Sequence, residues 1–207
     1  MARTWLALGD SYTIGEGVAA EGRWPHQLAA LLRGRGIAMQ EPRTIATTGW
    51  TTDELDAGID AVAPDGPFDF VSLLIGVNNQ YRGRSLEDYQ QQFSALLQRA
   101  LAFAGGRPAR VLVLSIPDWG VTPFAHDRDH AAIAGALDGY NHAAQAICNA
   151  LGIAYVDITD LSRQHGAEAA MLADDGLHPS ARMYALWAQR ALPLAERMLA
   201  SARRLNW

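Results

Sequence analysis

The sequence predicts an α/β protein, a three-layer α/β/α sandwich built around a five-stranded parallel sheet. Five short apolar runs alternate along the chain with longer stretches whose apolar residues recur at helical spacing. Such alternation is typical of parallel sheets that carry helices on both faces. The 207-residue chain contains no internal repeat, low-complexity tract or linker, so we expect residues 1–207 to form a single domain.

The predicted strands are short apolar runs that end at glycine or polar residues. They lie at residues 5–8, 44–46, 70–75, 111–115 and 154–156. The run at 111–115 is the strongest because it is rich in β-branched and aliphatic side chains, and the run at 44–46 is the weakest.

The predicted helices combine helical spacing with start and stop signals. They lie at about residues 24–33, 52–62, 86–104, 130–151 and 181–203. The second begins at Thr51 with acidic residues in its first turn, the third begins after Ser85, and the last is capped by Ser180. We expect the segment from the fifth strand to Asp175 to be irregular.

Composition excludes several classes of protein. The chain has 17 basic and 22 acidic residues, a net charge of -5, which argues against binding to nucleic acid. No apolar run is long enough to span a membrane, and the first one is too short for a signal peptide, so we expect a soluble cytoplasmic protein. The single cysteine, Cys148, cannot form an internal disulfide, and we interpret it as a buried structural thiol.

Four predicted loops carry polar residues at strand ends. The carboxyl ends of parallel strands share one edge of the sheet, where such folds bind their ligands. These loops contain Asp10 and Ser11, then Thr47, Thr48 and Gly49, then residues 76–79, and finally Asp175 and His178.

Ser11, His178 and Asp175 together match the requirements of acyl transfer. Serine is a weak nucleophile, so it needs a base, and the base needs a group that orients it. We therefore predict Ser11 as nucleophile, His178 as general base and Asp175 as its orienting carboxylate. Asp174 is the competing carboxylate, and the three-residue spacing to the histidine favours Asp175. Asp10 is interpreted as structural, holding the turn through backbone bonds.

The same chemistry needs hydrogen-bond donors for the oxyanion of the tetrahedral intermediate. The candidates are the backbone N–H of Ser11, the backbone N–H of Gly49 and the side-chain amide of Asn78. A simpler interpretation of Ser11 is a helix cap or turn residue, and Asn78 could likewise only form a turn.

Four blocks of this chain resemble those of the SGNH (GDSL-type) hydrolase family. They are residues 9–17 (GDSYTIGEG), Gly49, residues 76–79 (GVNN) and residues 175–179 (DGLHP). The resemblance implies a flavodoxin-like fold and esterase, lipase or thioesterase chemistry without a cofactor. It also implies that Ser11, Gly49, Asn78 and His178 are the name-giving residues, with Asp175 completing the triad. Tyr12 replaces the leucine of the family signature, and Asn79 replaces its aspartate.

Several further residues are candidates for contact with substrate. Asn79, Trp50, Trp119 and Tyr81 are predicted to line an acyl or alcohol pocket, and Phe124 is a similar candidate. The tryptophans could equally only pack against helices. Arg82 and Arg84 suggest, from charge alone, contact with an anionic group of the substrate.

His126 and His130 are four residues apart, a spacing that can bind metal on a helix. They precede the predicted helix start and lack a third ligand nearby, so no metal site is predicted.

The expected partner is a small-molecule acyl ester or thioester, and the sequence does not indicate an oligomeric state. Two alternatives remain open: a carbohydrate O-deacetylase of the same family, and a non-catalytic ligand-binding domain on the same scaffold. A flavin or nucleotide site is disfavoured because the first loop lacks a Gly-x-Gly-x-x-Gly pattern.

Overall fold

The computed structural model describes residues 1–201 and contains the predicted five-stranded sheet. Its strands are β1 (Trp5–Gly9), β2 (Arg43–Ala46), β3 (Phe70–Leu74), β4 (Val111–Leu114) and β5 (Ala154–Val156). They lie in the order β2-β1-β3-β4-β5, and every neighbouring pair is parallel. This is the strand order of flavodoxin-like sheets, whose ligands bind beside the strand at which the order reverses, here β1.

Helices cover both faces of this sheet. They are α1 (Ser11–Ile14), α2 (Trp24–Gly34), α3 (Thr52–Val62), α4 (Val77–Tyr81), α5 (Leu86–Phe103), α6 (His130–Ala150), α7 (Thr159–His165) and α8 (Ala181–Ser201). Helix α2 packs against α8, whereas α5 packs against both α3 and α6. The three-layer prediction is therefore confirmed. The predicted end of the last helix, near Arg203, lies outside the described residues.

The central strands have continuous apolar sequences because the helices bury both faces of the sheet. All residues of β1, β3 and β4 are buried. The one polar side chain within these strands, Ser72, accepts a 3.0 Å hydrogen bond from Trp5 Nε1, so its burial is compensated. Strand β2 lies at the edge and is partly exposed, which explains its weaker apolar signal.

Helix starts occur where the cap residues predicted them. Helix α3 begins with a capping box, in which Glu54 Oε2 accepts a 2.9 Å hydrogen bond from the N–H of Thr51. Ser85 Oγ accepts a 3.0 Å hydrogen bond from the N–H of Asp88 at the start of α5. These local contacts satisfy N–H groups at the starts of α3 and α5.

The segment predicted to be irregular contains helix α7, so that prediction is wrong. The sequence signal fails because a seven-residue helix shows less than two turns of periodicity. The helix is held by tertiary contacts: Leu161 and Ser162 are buried, and Asp160 in its first turn forms paired 3.0 Å hydrogen bonds with Arg190 of α8. Helix α4, only five residues long, was likewise not predicted.

The cysteine is buried, as expected, on the inner side of α6. Burial raises the pKa of the Cys148 thiol to about 12, so it is held as an unreactive thiol at neutral pH. Among residues 1–201, no helix has both the length and the apolar composition needed to cross a membrane.

Candidate active site

A cleft of about 220 Å³ opens at the carboxyl edge of the sheet. Its lining includes Ser11, Gly49, Asn78 and His178, four residues that lie far apart in the sequence. Asp175 lies directly behind the histidine. The structure thus brings all five predicted core residues of the site to one place.

The turn after β1 places Ser11 at the floor of this cleft. Asp10 caps α1, and its Oδ1 accepts a 3.0 Å hydrogen bond from the N–H of Tyr12, which confirms its structural role. A Cβ at Gly9 would lie 2.5 Å from the carbonyl oxygen of Leu74, so only glycine fits this close turn. Ser11 is the first residue of α1, and its N–H therefore has no partner within the helix.

Asp10 is buried, and its carboxyl group has a raised pKa. Its Oδ2 has no hydrogen-bond partner in the described part of the chain. Burial, only partly offset by the hydrogen bond from Tyr12, raises the pKa of this carboxyl group to about 7. A carboxyl group directly behind Ser11 is therefore partly protonated at neutral pH.

Asp175 and His178 form a hydrogen-bonded pair within one short turn. Asp175 Oδ2 lies 2.6 Å from His178 Nδ1, and Asp175 Oδ1 accepts 2.9 Å hydrogen bonds from the N–H groups of Leu177 and His178. Burial acts to raise the pKa of Asp175, but these hydrogen bonds outweigh it and hold the pKa below its usual value. With Nδ1 donating to the carboxylate, Nε2 of His178 is left as the acceptor.

Ser11 and His178 share the cleft without a direct hydrogen bond between Ser11 Oγ and the imidazole. Catalytic hydrogen bonds are often long before substrate binds and shorten in the reacting complex. The ring of Tyr12 packs against the imidazole, with ring centroids 5.8 Å apart, and limits the positions that His178 can adopt.

Gly49 lies in a tight turn opposite the histidine. The turn is closed by a 3.2 Å hydrogen bond from the N–H of Trp50 to the carbonyl oxygen of Thr47. Gly49 is its third residue and has a φ of 88°, the positive value that a type II turn requires at this position. Its own N–H takes no part in closing the turn, so this N–H is available as a donor at the cleft.

Asn78 lies on the third side of the cleft, in α4. Its Nδ2 donates a 2.9 Å hydrogen bond to the carbonyl oxygen of Trp50, which leaves the second N–H of the amide for another acceptor. The preceding Gly76 has a φ of 129°, and a Cβ there would lie 2.6 Å from the ring of Tyr89. Glycine at this position lets α4 start close to the sheet and brings Asn78 to the cleft.

Two predicted substrate contacts lie elsewhere. Asn79 is fully buried; its Oδ1 accepts from the N–H of Thr52 at 3.1 Å, and its Nδ2 donates to Thr52 Oγ1 at 2.7 Å. The ring of Trp50 packs against Gly58 of α3, where a Cβ would lie 2.2 Å from it. Trp50 and Asn79 each come directly after a residue that lines the cleft, Gly49 and Asn78. Both side chains point away from the cleft and pack against α3 instead.

The other two predicted contacts, Trp119 and Tyr81, line the cleft together with Phe124. Their rings are in edge-on contact, with centroids 5.3 Å apart for Tyr81 and Trp119 and 6.2 Å apart for Trp119 and Phe124. Trp119 is buried and its Nε1 donates to Gln80 Oε1 at 2.8 Å, whereas Tyr81 and Phe124 are 48% and 41% exposed. One wall of the cleft is therefore aromatic and reaches solvent.

Arg82 and Arg84 are paired with acidic side chains of α3, so the interpretation of both as anion-binding residues is not supported. Arg82 Nη1 lies 3.1 Å from Glu54 Oε1, and Arg84 Nη1 lies 2.6 Å from Asp53 Oδ1. Arg82 also donates a hydrogen bond to the carbonyl oxygen of Gly49, a contact that no sequence pattern indicated. The two acidic residues at the start of α3 were the available signal for the ion pairs.

A larger groove, of about 550 Å³, lies between α6 and α7 at the end of β5, and its lining contains none of Ser11, Gly49, Asn78 and His178. Its polar groups bind one another: Arg163 pairs with Asp118 and Asp138, and Asn141 bonds the backbone of Ile116. The smaller cleft remains the candidate site because it combines a nucleophile, a base and unoccupied donors.

The two histidines with metal-ligand spacing bond the backbone instead. His126 Nδ1 lies 3.2 Å from the carbonyl oxygen of Pro123, and His130 Nε2 lies 2.9 Å from that of Ala125. In residues 1–201, no cluster of three or more His, Cys, Asp or Glu side chains is arranged to hold a metal ion.

Comparison with known proteins identifies the family. Residues 7–186 match the GDSL-like Lipase/Acylhydrolase family. The chain belongs to this family. The matched region contains every residue of the candidate site, the strands β2 to β5 entire and β1 from Ala7 onwards. No curated protein matches the sequence.

Several solved structures have the same fold. TesA superposes with a TM-score of 0.75 at 19% identity, covering 95% of this chain and 99% of that one. Axe2, an acetylxylan esterase from Geobacillus stearothermophilus, superposes with a TM-score of 0.70 at 19% identity, covering 93% and 94%. The esterase EstA from Pseudoalteromonas sp., in a structure inhibited by monoethylphosphonate, gives 0.62 at 17% identity, covering 98% and 97%. At these identities the likeness establishes the shared fold.

Proposed function

We propose that this GDSL-family hydrolase is a serine ester hydrolase that cleaves small acyl esters or thioesters through an acyl-enzyme. One observation carries the proposal: the hydrogen-bonded Asp175–His178 pair lines the same cleft as Ser11, opposite the Gly49 turn and Asn78. A nucleophile, an oriented base and converging N–H donors around one small cleft are the parts that acyl transfer needs.

In the first half of the reaction, Ser11 Oγ attacks the substrate carbonyl carbon while His178 Nε2 accepts the hydroxyl proton. Asp175 stabilises the imidazolium that forms. The carbonyl oxygen becomes an oxyanion that accepts hydrogen bonds from the N–H groups of Ser11 and Gly49 and from Asn78 Nδ2. Collapse of this intermediate breaks the bond to the leaving alcohol or thiol, which takes the proton from His178.

In the second half, a water molecule replaces the leaving group. His178 accepts its proton as the water oxygen attacks the acyl carbon, and the same donors bind the second oxyanion. Collapse releases the carboxylic acid and returns the proton to Ser11 Oγ. Each residue is restored, and the net change is hydrolysis of one ester bond.

The size and lining of the cleft favour short acyl groups. A volume of about 220 Å³ is below the usual range for sites that enclose a drug-sized ligand. The aromatic wall of Trp119, Tyr81 and Phe124 supplies apolar contact for such a group.

The test compares the chain with its Ser11→Ala variant. We expect the unmodified protein to hydrolyse p-nitrophenyl acetate and to lose activity with one equivalent of an organophosphate, with the added mass on the peptide that contains Ser11. The Ser11→Ala variant should show neither property. Undiminished hydrolysis by the variant would exclude the proposed mechanism.

A carbohydrate O-deacetylase is the second candidate, favoured by the exposed rings of Tyr81 and Phe124 at the cleft mouth. Flat exposed aromatic faces suit stacking of a sugar ring, and the similar structure of Axe2 is that of an acetylxylan esterase. Acetylated xylo-oligosaccharides should then give a higher kcat/KM than p-nitrophenyl acetate. A higher kcat/KM for p-nitrophenyl acetate would instead favour the esterase that acts on small acyl esters.

A further inference from the structure

Arg82 holds the turn that carries Gly49. Arg82 Nη2 donates a 2.6 Å hydrogen bond to the carbonyl oxygen of Gly49, while Nη1 lies 3.1 Å from Glu54 Oε1. Glu54 is itself fixed, because its Oε2 accepts the hydrogen bond from Thr51 N–H that caps α3. One planar guanidinium therefore connects the Gly49 turn to the start of α3.

The turn needs such an external contact because glycine restrains its own backbone less than any other residue. The N–H of Gly49 and its carbonyl group lie on the two sides of one Cα, so rotation about this residue changes the direction of both. A hydrogen bond that holds the carbonyl therefore also limits where the N–H can point. A charged donor forms a stronger bond of this kind than a neutral one.

Neighbouring contacts hold the residues on either side of Gly49. The side chain of Thr48 donates to Glu16, and Asn78 Nδ2 donates to the carbonyl oxygen of Trp50. In the part of the chain that the structure describes, Arg82 is the side chain that bonds the Gly49 carbonyl. The contact is thus made to the residue whose N–H is the proposed oxyanion donor.

We propose that Arg82 is a positioning residue for the oxyanion hole: it aims the N–H of Gly49 by holding the Gly49 carbonyl against the start of α3. The inference rests on the proposed esterase function and names a residue outside the reacting groups. Arg82 acts through Gly49, so its loss should weaken binding of the transition state more than binding of substrate.

Arg84 is a matched control. It has the same charge, lies two residues away and pairs with Asp53, the neighbour of Glu54, with 30% of its side chain exposed against 43% for Arg82. The difference is the hydrogen bond to Gly49. Both arginines therefore contribute similarly to holding the start of α3, and only one contacts the oxyanion turn.

The experiment measures kcat and KM for p-nitrophenyl acetate in Arg82→Ala and Arg84→Ala. We expect kcat to fall roughly tenfold or more in Arg82→Ala, a part of the hundredfold or greater cost of losing a whole oxyanion donor, with KM within about twofold. Arg84→Ala should keep kcat within about twofold. Equal kcat in the two variants would overturn the proposal, and so would a change confined to KM, which would indicate contact with substrate.

A second readout follows the transition state directly. A short alkyl boronic acid forms a tetrahedral adduct with a serine nucleophile, and its inhibition constant should rise in Arg82→Ala in proportion to the fall in kcat/KM. Arg82→Lys keeps the charge but cannot serve Glu54 and Gly49 with one planar group, so its kcat should lie between those of the unmodified protein and Arg82→Ala. An unchanged inhibition constant in Arg82→Ala contradicts the inference.

Two controls separate the possible failures. If the unmodified protein neither hydrolyses the ester nor binds the boronic acid, the proposed function itself is wrong. If it does both and the Arg82 variants match Arg84→Ala, only the positioning role is wrong. Thermal unfolding of each variant shows whether it is folded. If Arg82→Ala is not folded, the kcat of Arg82→Lys is compared with that of Arg84→Ala to test the positioning role.

Discussion

Asp175 and His178 are joined twice, through a 2.6 Å contact between side chains and a 2.9 Å hydrogen bond from the histidine backbone to the same carboxylate. One aspartate thus shapes the turn that presents the imidazole and also orients the imidazole itself. The first role needs a hydrogen-bond acceptor at Oδ1, and the second needs a negative charge at Oδ2. A substitution that keeps the shape of the side chain and removes its charge separates them.

Asp175→Asn should therefore fold normally and lose activity. An amide oxygen can still accept the backbone N–H groups, but the amide does not stabilise an imidazolium, and we expect kcat to fall by about 10⁴-fold, as when the corresponding charge is removed from other serine triads. The measurement is kcat for p-nitrophenyl acetate between pH 5 and pH 9.

Asp174→Asn is the control for this substitution, since it removes the neighbouring charge, and the Asp174 side chain forms no hydrogen bond or ion pair with His178 in the described structure. It should retain nearly full activity. A similar loss in both variants would show that the acidic turn matters only for folding, and activity in Asp175→Asn would remove this residue from the mechanism.

Asp10→Asn should make the stability of the protein less dependent on pH. Burial raises the pKa of Asp10 from 3.8 to about 7, so the folded state keeps a proton that the unfolded state releases. The unfolded chain therefore binds fewer protons between these values, and the free energy of unfolding falls as pH rises from about 4 to 7. The loss is on the order of a few kcal/mol in total, at 1.36 kcal/mol per pKa unit.

Urea unfolding at pH 5 and pH 8 measures this effect. The decrease in the free energy of unfolding between the two values should be smaller in Asp10→Asn than in the unmodified protein. Asp127→Asn, at a side chain 68% exposed, should leave the decrease unchanged. An identical decrease in Asp10→Asn would show that the carboxyl group is not held protonated by the fold.

Gly49→Ala should reduce activity more than its effect on stability explains. A φ of 88° is unfavourable for alanine by about 1–2 kcal/mol, although the nearest atom to an added Cβ, Arg82 Nη2, is 3.8 Å away. Because the strain is relieved by rotating the turn, the N–H moves from its position and kcat should fall by about a hundredfold.

Gly36→Ala is the control, because it introduces a similar backbone strain at a residue outside the cleft. Gly36 has a φ of 75°, nothing lies within 4 Å of an added Cβ, and it follows the end of α2 and does not line the cleft. The two variants should lose similar melting temperature, and only Gly49→Ala should lose kcat. Equal activities would mean that the N–H of Gly49 is not used.

Phe124→Ala should shift the preference towards longer acyl chains. Phe124 is 41% exposed and forms the outer part of the aromatic wall, so its removal lengthens the cleft at little cost in stability. The ratio of kcat/KM for p-nitrophenyl hexanoate to that for the acetate should rise several-fold. Leu86→Ala, at a similarly exposed apolar side chain away from the cleft, should not change the ratio, and an unchanged ratio in Phe124→Ala would place the acyl group elsewhere.

Most of the fold was predictable because its signals are local. The strand at 111–115 and the helix start at Ser85 depend on side-chain type and spacing within a few residues, and the structure contains both. Helix α7 was not predictable, because its seven residues are too few to show a periodic pattern, and its buried side chains, Leu161 and Ser162, pack against distant segments of the chain.

The residues of the candidate site could be predicted from the sequence, whereas the residues that surround it were predicted less well. Ser11, Asn78 and His178 are marked by short motifs at strand ends, and the parallel topology requires such ends to share one edge. Asn79 and Trp50 were expected to contact substrate, and both instead pack beside α3. A one-residue step along a turn or short helix redirects a side chain, and sequence order alone does not say which way.

The sequence by itself determined the class of sheet, the order of most of its helices and the candidates for nucleophile, base and oxyanion donors. Tertiary structure alone decided that Arg82 binds the carbonyl oxygen of Gly49, that Asp10 loses its solvent, and that three aromatic rings form one wall. The physical reason is range: propensity and periodicity act between residues close in sequence, whereas burial and hydrogen bonding between distant segments exist only after the chain has folded.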